Sequence, residues 1–203
     1  MTKSQSASRP TRSFRVPLLG LSGKATTQHA TRGSRAYVLP ATMEHIWSLA
    51  AEGFREQDVA ECMAATGEPP DVACEYALDT APATTFTFTT DHGPVAMFGC
   101  TGSDVPDLGL CWFIATNSLR HVTRDFVRQV PAWFDFFNTL HPVLTNWVDD
   151  RNIVAKRWLQ RVGCVIVEPA PNFGVSDKLF WRFERRHSSC ALSPQPSRPS
   201  PPR

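Results

Sequence analysis

Between Val143 and Arg186 the chain changes its periodicity twice, from strand to helix and back to two strands, and that order limits the folds open to it. Val143 to Val148 has the composition of a strand. A helical segment follows, opened by Asp149 or Asp150 and closed by Gly163, the residue type that fits the left-handed position just past a helix end. Cys164 to Val167 and Leu179 to Phe183 then return to strand composition. A strand, a helix and two more strands in succession call for a mixed sheet with a right-handed crossover, and few topologies satisfy both.

Upstream segments supply the rest of such a sheet. Ala36 to Pro40 reads as a short first strand, and Thr42 as an N-cap before apolar Met43, Ile46, Trp47 and Ala50 at helical spacing. A second helix is predicted over Glu56 to Ala65, stopped by Gly67 and the Pro69-Pro70 pair, and a short third one over Val72 to Thr80. Thr85-Phe86-Thr87-Phe88-Thr89 alternates as a half-buried strand does. Asp91-His92-Gly93 turns it into a hairpin with Pro94 to Gly99. Leu108 to Ala115 is almost wholly apolar, which suits a mid-sheet strand covered on both faces. The longest helix is predicted from near Thr123, with Phe126, Val127, Val130, Trp133, Phe134, Phe137 and Leu140 as its buried stripe. Pro131 removes a backbone donor and predicts a kink or restart there, and His141-Pro142 ends the helix. The fold class expected is α/β (α+β), with a mixed central sheet and helices on both faces.

Charge divides the chain into three parts. Residues 1–35 carry seven Lys or Arg and no acid, and residues 187–203 are rich in proline and serine, again with no acid. All 19 acids fall in residues 36–186, against 12 Lys or Arg, so the centre is acidic although the whole chain is +2. About 150 residues suffice for one core. The tails bring too little apolar surface to offset the cost of ordering, so disordered extensions are expected over 1–35 and 187–203. An organellar transit peptide is the alternative for the first of these. No apolar run reaches the length of a membrane span. The six cysteines form no C-x-x-C pair, and reduced buried thiols are expected.

Asn152, Ala155, Trp158 and Gly163 resemble the N-x-x-A-x-x-(apolar)-(Tyr)-x-x-x-G-(Phe) signature of the acetyltransferase (GNAT) fold, and the order of elements over 36–186 is similar to the GNAT order. Leu159 stands where many catalytic members keep a tyrosine, and Cys164 replaces the usual phenylalanine. A narrower resemblance is to the internal virion, or core-assembly, protein family of T7-like tailed phages. It is carried by Ile46 to Leu49, Ala96 to Gly99, Val143 to Asp149, Arg157 to Leu159 and Phe180 to Glu184. That family implies a non-catalytic protein that helps build the internal virion core, without a cofactor. It implies other virion core proteins as partners, the host cytoplasm and then the virion interior as location, and basic tails contacting packaged DNA without sequence preference. The GNAT resemblance implies the alternative, a CoA-dependent N-acetyltransferase using acetyl-CoA.

For such an enzyme the GNAT resemblance implies a cofactor held by backbone amides in an R/Q-x-x-G-x-G/A loop, because side chains would obstruct the approach to a diphosphate. The corresponding residues, 116–123, contain no glycine, and Leu119 and Val122 fill ground that should be bare backbone. Arg120, Arg124 and Arg128 at four-residue spacing offer a second route to a phosphate, or simply a solvated face. The resemblance places Asn152 near the cofactor arm; capping a helix would explain it equally well. The cofactor-binding candidates are therefore Asn152, Arg120 and Arg124. No catalytic residue is assigned. Leu159 cannot donate a proton, Tyr37 and Tyr76 do not fall at its position, and Glu44, Glu75 and His121 as bases read equally well as surface residues. No metal-binding, Walker or nucleophile-elbow motif occurs. Alternation puts Phe180 with Arg182 on one face of their strand and Trp181 with Phe183 on the other, as core residues of a covered strand.

Overall fold

The computed structural model describes residues 35–187, so the expected extensions lie outside the described residues except for Arg35 and His187. The elements run β1 (Ala36–Pro40), α1 (Met43–Glu52), α2 (Glu56–Ala65), α3 (Pro70–Thr80), β2 (Thr85–Thr90), β3 (Gly93–Gly102), β4 (Leu108–Ala115), α4 (Leu119–Leu140), β5 (Val143–Asp149), α5 (Ile153–Arg161), β6 (Val165–Phe173) and β7 (Lys178–Arg186). The seven strands form one sheet in the order β1-β2-β3-β4-β5-β7-β6. Every neighbouring pair is antiparallel except β4 and β5. The mixed α/β fold predicted from the sequence is the one observed, with β4 in the middle.

Side-chain alternation gives the two faces different covers. Phe86, Phe88, Phe98, Cys111 and Phe113 pack with α4 and α5 in the larger core. Met97 and Ile114 turn the other way, onto Ile46 and Leu49 of α1 and Cys74 of α3. In β2 the alternation is real but its expected consequence is not. All six residues are buried, and Thr85 at the start of the strand meets the end of α3 rather than water. The hydroxyl of Thr85 donates to Ala77 O and Ala81 O, at 3.1 and 2.8 Å, and so satisfies carbonyls left over at the end of α3.

Three further expectations are corrected. The helix α4 runs through Pro131, and the residue that leaves helical geometry is Val122, at φ −122° and ψ 16°. Buried Phe126, Val130, Phe134 and Phe137 hold α4 to the sheet on both sides of the proline. Val127 and Leu140, expected in the stripe, are 37% and 46% exposed, at the edges of that face. The cap of α5 is Asn152, whose Oδ1 accepts from Ala155 N at 3.1 Å. Neither Asp149 nor Asp150 is free for that role: Asp149 accepts from the Arg151 amide and guanidinium, and Asp150 from Lys156 Nζ at 2.7 Å and Trp181 Nε1 at 2.8 Å. Thr42 does cap α1, accepting from His45 N. Gly163, at φ +88°, follows α5 as expected.

The tip of the β6–β7 hairpin closes against α2. Val175 N and Ser176 N both donate to Ala64 O, at 3.1 and 3.3 Å. Gly174 sits at φ +67°, and a Cβ there would come within 2.4 Å of Ala64 O and Ala65 O. Neither the dihedral nor the space admits a side chain. Gly174→Ala is expected to cost about 2 kcal/mol of stability. Read by thermal unfolding, that is a loss of ~4–8 °C in Tm for a chain of this size.

Candidate functional site

β4 and β5 stay together for only three register pairs, Leu108–Val143, Gly109–Leu144 and Leu110–Thr145, and then part. At the throat Asn146 Nδ2 donates to Cys111 O at 2.9 Å, while Asn146 Oδ1 accepts from Trp147 N at 2.8 Å. At the far end Thr116 N is bonded to Val95 O of β3, so the adjacent Ala115 points into the gap. Ala115 N donates to Asp58 Oδ2 at 2.8 Å, and Ala115 O accepts from Arg55 N at 2.9 Å. Phe113 lies between these two crossings. A cavity of about 780 Å³ occupies the parting, lined by α2 and α3 from one side of the sheet and by α4 and α5 from the other.

Two carboxylates of α2 stand at the edge of this cavity, and the sequence reading did not single out either. Asp58 is 6% exposed. Arg55 clasps it with two hydrogen bonds of 2.8 Å, and burial still pushes its carboxyl above the ordinary range. Glu61 accepts from Asn152 Nδ2 at 3.0 Å and from Asp149 N at 3.3 Å. Burial is the main reason its carboxyl is raised, and the charges of Asp58 and Asp149 push the same way. Asp149, in contrast, is held below the usual carboxylate range by its hydrogen bonds from Arg151. Glu61 is thus a carboxylate held by two hydrogen bonds at the wall of a large cavity, its proton affinity raised by burial. These are the properties of a proton acceptor.

Of the residues singled out in the sequence, Asn152 and Arg120 line the cavity and Arg124 does not. Asn152 both caps α5 and orients Glu61. Arg120 is exposed, its Nε donating to His121 Nε2 at 3.1 Å. Arg128 is paired to Asp125 at 3.0 Å. Glu44, Glu75 and His121 are all off the cavity wall, and Leu159 is buried on it. Phe180 and Phe183 are core residues on opposite faces, as their alternation requires.

The turn after β4 keeps its amides to itself. Ser118 N donates to Thr116 Oγ1, and the amides of Leu119, Arg120 and His121 donate to the carbonyls three residues before them. Cys62, Cys74, Cys100, Cys111 and Cys164 are free thiols. Burial pushes Cys62 and Cys164 up to about 12, which leaves them unreactive as nucleophiles. Cys190 lies outside the described residues. Among the described residues no group of three His, Cys, Asp or Glu could hold a metal ion, and no helix is long and apolar enough to cross a membrane.

No protein-family model matches the chain, and no curated protein matches it. Solved structures do. Ard1 from Thermoplasma volcanium is 14% identical with a TM-score of 0.54, over 74% of this chain and 97% of that one. A spermidine N-acetyltransferase chimera from Vibrio cholerae and hSSAT is 10% identical at 0.56, over 79% and 100%. An acetyltransferase of the GNAT family from Streptococcus pneumoniae is 11% identical at 0.52, over 75% and 99%. The seven-stranded sheet with flanking helices is the GNAT fold.

Proposed function

We propose that the protein is a CoA-dependent N-acyltransferase. The observation that carries this reading is the parting of β4 from β5 around a cavity with Glu61 on its wall. Two strand edges without a ladder between them suit an extended chain bearing amide groups, which is what the pantetheine arm of CoA offers. The fit at the other end of that cofactor is different. The amides of Ser118 to His121 are already bonded, so a diphosphate would rest on the cation of Arg120 at the cavity wall rather than in an amide cradle. When bound, an acyl-CoA would supply an activated thioester.

The residues of this chain then have defined tasks. Asn152 and the Asp149 amide hold Glu61 in place. Glu61 would take a proton from the acceptor amine and release it to water as water protonates the departing sulfur, so that amine and thioester would become amide and thiol with no net change in protons. Leu159 gives no proton to that sulfur. Tyr76, at 70% exposure, is the tyrosine on the cavity lining.

The test is release of free thiol from acetyl-CoA by the full chain in the presence of an amine panel. Amine-dependent release is expected. A second reading, a catalytically silent GNAT scaffold, is favoured by the internally bonded amides and by Leu159, and the sequence resemblance alone would make it a protein that assembles with others of a phage virion core. Its basic tails would contact DNA through phosphate charge. It expects no thiol release and no change in Tm with acetyl-CoA.

A further inference from the structure

We propose that Cys100 and Cys111 form a modification site, where a peroxide entering the cavity joins the two thiols in a reversible disulfide. The inference goes beyond acyl transfer and does not depend on it. The two residues face each other across the antiparallel pair β3 and β4, and both belong to the core under α4 and α5. Two hydrogen bonds show how they face. Cys111 O turns away from β3 to accept from Asn146 Nδ2 at 2.9 Å, and Cys100 O turns away from β4 to accept from Thr84 Oγ1 at 2.6 Å. The N–H and C=O of a strand residue point the same way, so this pair exchanges no ladder bonds of its own. Such pairs bring their Cα atoms to about 4.5 Å, the close end of the range a disulfide spans. A bond formed there is strained, and strained disulfides are the ones that thiols readily reduce.

Access and charge separate this pair from the other thiols. Cys111 lines the cavity, and Cys100 is 1% exposed behind it. Cys62 lines the cavity too, but burial and the charges of Asp58 and Glu61 hold its proton on. At Cys111 the hydrogen bond with Cys100, burial and nearby Cys164 also favour the thiol, while the guanidinium of Arg185 favours the thiolate. Gly109 leaves the room that Cys100 Sγ and the His141 ring occupy, since a Cβ there would come within 2.6 and 2.7 Å of them. The chemistry balances. The Cys111 thiolate attacks the peroxide, the O–O bond breaks, and a sulfenic acid and water result, the proton coming from the thiol. Cys100 then attacks the sulfenic sulfur: the S–S bond forms, the S–O bond breaks and a second water leaves. Two thiols and one peroxide give one disulfide and two waters.

The experiment treats the folded full chain with hydrogen peroxide, then unfolds it, alkylates the remaining thiols with N-ethylmaleimide and reads the intact mass. Two fewer alkylated thiols than the six cysteines of the untreated chain are expected, with the mass of one internal bridge. Dithiothreitol is expected to restore all six. The rate should climb about 10-fold per pH unit through the neutral range, because only the thiolate reacts. Cys100→Ala and Cys111→Ala should each abolish the bridge, and if one of them does not fold the other decides. Cys62→Ala, Cys164→Ala and Cys190→Ala should leave it unchanged. A full set of free thiols after peroxide, a bridge that survives Cys111→Ala, or sulfinic acid in place of a bridge overturns the site. Thiol release from acetyl-CoA is read separately, so its absence ends the acyl-transfer reading and leaves this pair standing.

Discussion

Asp58→Ala is expected to cost about 3–5 kcal/mol of folding stability, because it leaves a partly buried cation without its partner. For a chain of this length that is a drop in Tm of ~6–20 °C. Two groups lose by the change. The guanidinium of Arg55 loses both of its 2.8 Å bonds, and the amide of Ala115 loses its acceptor inside the parting of β4 and β5. A buried donor left without an acceptor costs about 1–3 kcal/mol by itself. Arg55→Met with Asp58→Leu is expected to be less damaging than Asp58→Ala, since it removes the stranded charge. A double variant as unstable as the single one would show that the ion pair is not what α2 contributes there.

The pH dependence has a definite sign. Asp58 and Glu61 bind their protons more tightly folded than unfolded, so what they add to stability is fully present below the unfolded carboxylate range. It is lost as pH rises through their raised values. Asp149 and Glu184, both lowered, act the other way: their contribution is present above the unfolded range and lost as pH falls through their folded values.

Glu61→Gln is expected to lower kcat for acyl transfer by about 10²–10⁴-fold, the usual worth of a positioned proton acceptor. Glutamine keeps one acceptor oxygen where the carboxylate uses two, so one of the bonds from Asn152 Nδ2 and Asp149 N is lost; Tm should fall by a few degrees while the KM for acetyl-CoA should be unchanged. In the wild type, kcat/KM should climb with pH from the acid side, with its inflection above the ordinary glutamate value. That limb should flatten in the variant. An unaltered pH profile in Glu61→Gln would remove Glu61 from the chemistry.

What could be read from the sequence followed from how local its cause is. The bounds of α2 and β4 and the Thr42 cap depend on neighbours within a few residues, and each agrees with the structure. The threonines of β2 look like a solvent face because nothing local shows that they will be buried, Thr85 against the end of α3. Pro131 predicts a break that the packed aromatic stripe overrides, while the departure at Val122 has no local signal. Asn152 was legible through the acetyltransferase-like signature. Its partner Glu61 lies 91 residues away, and Asp58 reaches Ala115 across 57. On α2 alone, Asp58 and Glu61 are two acids one turn apart, as any solvated helix face carries. Only the sheet order makes them the wall of a cavity.

The most direct measurement is a calorimetric titration of acetyl-CoA into the full chain. The account expects one site per chain with a dissociation constant between about 1 µM and 1 mM, the range over which enzymes meet their substrates. It also expects weaker binding in Arg120→Ala, since the amides of Ser118 to His121 are already bonded. No heat of binding at millimolar acetyl-CoA would contradict it and leave the parted strands as scaffold.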